Sequence, residues 1–513
     1  MSTAPTNTKQ HATIATGHPE VSAVAKHLLD EGGNAFDAVV GAGFMSALAE
    51  PALTSLGGGG FCLTHQAHGD TKIFDFFCDT PGLKGQHSGE PHFEEVAIHF
   101  PGAVQHFHIG RASIAVPGMI KGLLHLHKKL GKLPLDVVLA PAIAGYREGL
   151  VMNAYQARLL SLLEPILRLT KESEAFYAPR GHLLKEGEVT KSPQTAELLE
   201  RLVHEGAAAF YEGPLAEVMP ADCLAGQGFL TREDLRAYDV VIREPHRVAF
   251  RGHQVLTNPA PSLGGSLIAL GLHLYKNADL SSCSFQDSSH VRALLGVMVE
   301  VDALRKRGIL CKEDLKNPLE AAARALPAHV FSRGTTHMSI ADKDGNMASM
   351  TTSNGEGSGV MVPGTGIMLN NMMGEDDLHP EGFHSCPAGV RVSSMMSPTL
   401  LLDEEGTPKM LLGSGGSKRI RTAILQVLTH VVDFNKELNE AVDAPRLHWD
   451  GEVAQLEPGF DDDAKAALAK MQSCNEWQDR DVYFGGVHAL IPGKEAAGDP
   501  RRGGHALRLD VPS

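Results

Sequence analysis

A layered α/β body is the fold class the sequence predicts, and three observations carry it. Apolar residues recur at three- and four-residue spacing from Val21 into the forties and again over residues 117–220. Strand-like alternation takes over near Val240 and again after Thr335. Neither an internal repeat nor a flexible linker separates these blocks, so helices and strands pack as layers of one body rather than as beads on a string. At about 150 residues per domain, 513 residues allow two to four domains, or one large body of this kind.

In chain order, VSAVAKHLLDEGGNAFDAVVGAGFMSALAE reads as two helices with Gly32 and Gly33 as the stop between them. Asn34 caps the second helix, and Asp37 sits on its favourable first turn. Four glycines, residues 57–60, then precede the apolar Phe61, Cys62 and Leu63. They lack the Lys-Ser/Thr of a phosphate loop and do not match G-x-G-x-x-G, so they read as close backbone packing at a strand entrance. RVAFRGHQVLTNP alternates like paired strands, and PSLGGSLIALGLHLY starts a glycine-led helix. TTHMSIADKDGNMASMTTS reads as two strands joined by a DKDGN turn.

Composition excludes several functions. With 46 Lys plus Arg against 61 Asp plus Glu, the net charge of −15 offers no footprint for nucleic acid or an anionic membrane. Residues 335–513 hold 15 of the basic and 26 of the acidic side chains, so the acidity belongs mainly to the C-terminal third, as a solvated face. The seven cysteines are scattered and never spaced C-x-x-C, which fits a reducing compartment. Without a signal-peptide core or a bilayer-length apolar run, the expected location is cytoplasmic. Twenty-six histidines form no H-E-x-x-H pair, and His106 and His108 lack a carboxylate or cysteine at metal spacing, so neither a metal nor a cofactor is expected. A G-x-S-x-G elbow is also missing.

The segment that carries chemistry is Arg333-Gly334-Thr335-Thr336-His337. A Thr after a Gly can attack the preceding carbonyl where the backbone is held open, and Gly334 is read as supplying backbone angles that only glycine reaches. Cleavage there leaves Thr335 with a free α-amine. Such an amine, with a reference pKa of about 7.7–8.0, can act as base for its own hydroxyl at neutral pH.

GGNAFDAVVGAGFMSALAEPALTSLGGGGF, AVPGMIKGLLHLHKKLGKLP, LTREDLRAYDVVIREPHRVAFRGHQVLTNPAPSLGG, TTHMSIADKDGN, VPGTGIMLNN, MSPTL and GSGGSKRI occur in this order. Together they resemble the γ-glutamyltranspeptidase family of N-terminal-nucleophile hydrolases, from about His18 to Asp499. The resemblance implies a four-layer αββα sandwich and a precursor cut before Thr335. The products are a large subunit, residues 1–334, and a small subunit, residues 335–513, that stay together as one domain. It makes Gly334 and Thr335 the processing site and Thr335 the nucleophile. Ser353 falls where the family has a supporting Thr, Gly415 and Gly416 where it has oxyanion amides, and Asn354, Glu375 and Ser394 at substrate-binding positions. The physical reading agrees at the glycines, where two amides can converge on a developing oxyanion.

Departures from the family pattern concern the acyl group. The family's carboxylate-binding Arg has no counterpart in CDTPGLKGQHSGEPH, where Lys84 and Gln86 lie nearby. Met372 and Met395 replace a carboxylate or amide and a serine. Three readings follow. One is a γ-glutamyl hydrolase or acyltransferase acting on glutathione or γ-glutamyl amides, with water or an amine as acceptor. Another is a cephalosporin- or glutaryl-acylase-like amidase with a non-glutamyl substrate. The third is an unprocessed, non-catalytic relative. The sequence leaves open a homo-oligomer of the two-subunit unit.

Overall fold

In a computed structural model, the described residues are 11–85, 91–100, 103–278, 280, 283–307, 334–375, 378–379 and 382–510. Gln86 and Cys311 lie outside them. Two antiparallel sheets form the centre. The seven-stranded sheet runs, in spatial order, His505–Asp510, His11–Thr16, Thr336–Ala341, Met347–Ser353, Gly59–His65, Thr71–Phe76 and Val241–Arg243. The six-stranded sheet runs Glu495–Ala497, Gly486–Ile491, Pro408–Gly415, Thr399–Leu402, His253–Thr257 and His246–Phe250.

Side-chain alternation sorts the layers. Along Thr336–Ala341, Met338 and Ile340 face outward with Ala348 and Met350 of the next strand, into an apolar cluster with the helices Pro19–Asp30, Ala35–Ala49, Met119–Leu130 and Leu135–Glu148. His337, Ser339 and Ser349 face the other sheet. Ser349 Oγ donates to the Leu412 carbonyl at 3.2 Å, and Ser339 Oγ to the His488 carbonyl at 3.3 Å. Helices Leu263–Tyr275, Ser288–Lys306 and Arg419–Phe434 contribute to a second apolar cluster with the six-stranded sheet. The result is the four-layer αββα sandwich.

Local chemistry explains the central hairpin. Asp342 accepts from the amides of Asp344 and Asn346, both at 2.9 Å, and Gly345 supplies the turn's positive φ of 95°. Its other oxygen takes the Ala35 amide at 3.0 Å, which ties the hairpin tip to the start of the helix capped by Asn34. That cap is a full box, since Asp37 accepts from the Asn34 amide at 3.0 Å. The glycines at 57–60 do pack backbone on backbone. A Cβ on Gly58 would lie 2.2 Å from the Ser353 carbonyl oxygen, and one on Gly57 would lie 2.3 Å from that of Met368.

Candidate active site

Thr335 stands at the start of the inner strand Thr336–Ala341, and Ser353 ends its antiparallel neighbour, so pairing of Thr336 with Thr352 brings the two together. Thr335 Oγ1 donates to Ser353 Oγ at 3.3 Å, and Ser353 Oγ donates in turn to the carbonyl oxygen of Gly334. The Gly355 amide donates to the same hydroxyl at 3.0 Å. One serine oxygen therefore touches both the candidate nucleophile and the carbonyl that precedes it.

Gly334 is needed for a reason other than the one expected from the sequence. Its φ lies outside the left-handed range. A Cβ there would sit 1.6 Å from the Gly355 carbonyl oxygen, so the requirement is space and not backbone angle. The Gly334 amide donates to Glu356 Oε1 at 3.3 Å. Glu356 belongs to a loop that holds left-handed glycines at 355, 357 and 359.

Gly415 ends the strand Pro408–Gly415 directly against Thr335. A Cβ on it would fall 2.3 Å from the Thr335 carbonyl oxygen. Gly416 follows with φ of 117°, and Ser417 with φ of 48°, in the turn that leads to the helix Arg419–Phe434. Two consecutive residues in the left-handed region wrap the chain around Thr335.

A small cleft opens in front of Thr335 and Ser353. Phe77, Met372, Leu378, Met395, Met396 and Ile420 give it apolar walls, while Glu375, Ser394 and Ser417 add polar groups. Of the residues expected from the sequence, Thr335, Ser353, Glu375 and Ser394 share this cleft, with both departing methionines, Met372 and Met395. Asn354 is buried behind it; its carbonyl accepts from the amides of Gly357 at 3.1 Å and Asn371 at 3.4 Å. Lys84 is exposed on a turn and does not line the cleft. A nearby guanidinium, Arg391, is engaged elsewhere: its Nε lies 3.1 Å from Asp79 Oδ1 and 3.5 Å from Asp75 Oδ1.

Sequence reasoning missed Ser417, Glu356, Glu50 and Arg502. Ser417 stood within GSGGSKRI, and Glu50 within the quoted AEPALTS segment, but neither carried a readable role. Arg502 Nη1 donates to the Thr335 carbonyl at 2.9 Å, and Thr336 Oγ1 donates to Glu50 Oε1 at 2.7 Å. Burial pushes the Glu50 carboxyl up to about 7, although the Thr336 hydroxyl and Arg502 draw it back. Among the described residues no three His, Cys, Asp or Glu side chains converge as metal ligands. His106 pairs with Glu95 at 2.6 Å on an exposed hairpin, and the His108 ring packs against Phe93 and Phe383.

The family profile described as Gamma-glutamyltranspeptidase matches residues 21–509. The chain belongs to that family. Membership makes it, by class, an amidase or acyltransferase. Its similar relatives carry two kinds of name. The Acylase ACY 1 proenzyme of Pseudomonas sp. (strain V22) is 30% identical over 482 residues, covering 89% of this chain and 85% of the relative. The Glutathione hydrolase proenzyme of Escherichia coli (strain K12) is 29% identical over 499 residues, covering 89% and 84%. Among solved structures, the cephalosporin acylase from Bacillus halodurans superposes with a TM-score of 0.78 at 24% identity, covering 99% of this chain and 98% of that one, a likeness of fold. The Helicobacter pylori gamma-glutamyltranspeptidase gives 0.51 at 29% identity, over 60% of this chain and 88% of that one. Family and fold are thereby set, while acylase and glutathione hydrolase relatives are equally near.

Proposed function

We propose that the chain is a self-processing γ-glutamyltranspeptidase-type amide hydrolase and acyltransferase whose nucleophile is Thr335. The observation that carries this reading is the path from Thr335 Oγ1 through Ser353 Oγ to the Gly334 carbonyl oxygen. In the first step Thr335 Oγ attacks the Gly334 carbonyl carbon, and its proton passes to the departing Thr335 nitrogen. The C–N bond breaks and an ester forms, which water hydrolyses. Ser353 donates to the carbonyl oxygen as charge develops there. The products are residues 1–334 and 335–513, and the relatives named proenzymes accord with this.

In the processed enzyme the Thr335 α-amine takes the proton of its own hydroxyl, directly or through water, as Oγ attacks a substrate amide. The amides of Gly415 and Gly416 stabilise the oxyanion, at about 3 kcal/mol per donor. The amine leaves with a proton, and water or an acceptor amine releases the acyl group from the threonine ester. Glu375 and Ser394 hold the polar part of the acyl group.

A second reading, an acylase acting on a less polar acyl group, draws on the cleft itself. Among the described residues its lining holds one carboxylate, three hydroxyl groups beside Thr335, and three methionines, but neither Lys nor Arg. An acyl group that ends in a carboxylate finds no cationic partner among these described lining residues, and the bidentate fit of an arginine is not replaced by a serine hydroxyl. Rates on γ-glutamyl-, glutaryl- and butyryl-p-nitroanilide, with Thr335→Ala as blank, separate the readings. Exclusive use of the γ-glutamyl compound rejects the acylase, whereas preference for butyryl rejects the γ-glutamyl substrate. Activity that survives Thr335→Ala rejects both.

A further inference from the structure

Cutting the chain before Thr335 removes the covalent tether on one side of the nucleophile, and a strand end freed in this way frays unless something else holds it. Two fully buried ionisable side chains reach this strand end from far along the chain. Glu50, 0% exposed, ends the helix Ala35–Ala49 and accepts from Thr336 Oγ1 at 2.7 Å. Arg502, 1% exposed, lies in the turn Pro500–Arg502 and donates to the Thr335 carbonyl at 2.9 Å and to that of Val482 at 3.3 Å.

Glycines clear the way for both. Gly415 and Gly486 face each other across neighbouring strands. A Cβ on Gly486 would strike the Arg502 stem at 2.4 Å, and one on Gly415 would lie 2.8 Å from its Nη1. On the other side, a Cβ on Gly17 would lie 2.2 Å from Glu50 Oε1 and 2.7 Å from Thr336 Oγ1. Burying a carboxyl and a guanidinium is costly, so their convergence on adjacent residues, one on the Thr336 hydroxyl and one on the Thr335 carbonyl, calls for a task that apolar residues could not perform.

We propose that Glu50 and Arg502 are positioning residues that hold the Thr335–Thr336 main chain in register once the bond to Gly334 is cut. The proposal rests on Thr335 being the nucleophile. Glu50 lies in the half that becomes the large subunit and Arg502 in the half that becomes the small one, so each half supplies one hold. Neither touches the substrate. Their loss misaligns Oγ without emptying the acyl cleft, and so lowers kcat more than it alters KM.

The test uses the full chain and whichever of the three p-nitroanilides the wild type cleaves fastest. Thr336→Val keeps shape and strand preference but removes the hydroxyl, and Gly17→Ala pushes the Glu50 carboxylate aside without deleting a polar group. Each is expected to lower kcat by about ten- to a hundredfold with KM within about twofold. Thr336→Ser and Glu50→Gln, which keep the hydrogen bond, restore most of kcat. Should Thr336→Val fail to fold, Gly17→Ala read against Glu50→Gln still decides the matter, because both alter the same contact and only the first displaces it. Wild-type kcat in both Thr336→Val and Gly17→Ala overturns the proposal, as does an equal loss in Thr336→Ser and Thr336→Val. Activity that survives Thr335→Ala would instead overturn the nucleophile assignment beneath it.

Discussion

Replacing Ser353 by alanine deletes one oxygen and three hydrogen bonds, each with its own consequence under the proposed self-cleavage. The bond from Thr335 Oγ1, at 3.3 Å, is long and orients the nucleophile weakly. The bond from the Gly355 amide, at 3.0 Å, holds the glycine loop that closes over Gly334. The third, to the Gly334 carbonyl, meets the oxygen on which charge develops in the proposed self-cleavage. Losing one such donor raises a barrier by about 3–4 kcal/mol, or roughly a hundred- to a thousandfold in rate. The ground state also suffers, since the buried Gly355 N–H and Gly334 C=O are left unpaired at about 1–3 kcal/mol each. Because that second cost falls on reactant and transition state alike, it lowers stability and leaves the cleavage rate unchanged. Ser353→Thr keeps the hydroxyl and is expected to cleave within about tenfold of wild type. The assay is a time course of intact mass on freshly purified precursor. Ser353→Ala cleaving at the wild-type rate, or Ser353→Thr failing as badly as alanine, would refute the role of this hydroxyl.

Other outcomes follow from the same contacts. Gly415→Ala forces a methyl to within 2.3 Å of the Thr335 carbonyl and is expected to leave the precursor uncut, as intact mass reads; normal cleavage would show that the strand yields there. Met395→Ser and Met372→Glu together make the cleft more polar and should raise the γ-glutamyl-to-butyryl ratio of kcat/KM at least about tenfold, an unchanged ratio counting against the cleft as the acyl site. Burial holds several histidines neutral, with His290, His379 and His488 drawn down to about 4 and His430 to about 3. Their folded values lie below the unfolded value of about 6.5, so the unfolded chain binds more protons as pH falls, and stability is lost between about 6.5 and 4. Glu50 and Asp79, pushed up by burial to about 7 and about 6, act in the opposite sense but are fewer. Each histidine contributes about 1.4 kcal/mol per pH unit within its window, so the thermal midpoint should drop steeply from pH 6.5 to 5; a flat profile would mean that these rings are not held neutral.

Elements written in local pattern were the most legible in the sequence. The Asn34 cap, the DKDGN hairpin and the glycine-led helix Leu263–Tyr275 each depend on residues within a few positions of one another, and each forms as expected. Thr335, Ser353, Glu375 and Ser394 were legible through motif order, and the fold gathers them in one cleft. The backbone angles expected of Gly334 gave way to a need for space, because Gly355 approaches from a loop whose path only the folded chain reveals. Glu50 and Arg502 were not legible at all. Each acts on a residue at least 167 positions away, and an isolated Glu or Arg gives no sign of being buried. Arg391 shows the reverse limit, a cation near the expected place whose charge the fold has committed to Asp75 and Asp79.

The most direct test of the account is the intact mass and N-terminal sequence of the purified full-length protein beside its Thr335→Ala variant. Two associated chains, the smaller of 179 residues beginning Thr335-Thr336-His337, with the variant remaining one uncut and inactive chain, is the predicted result. A wild-type protein that hydrolyses amides as a single uncut chain, or a Thr335→Ala variant that still does so, would contradict it.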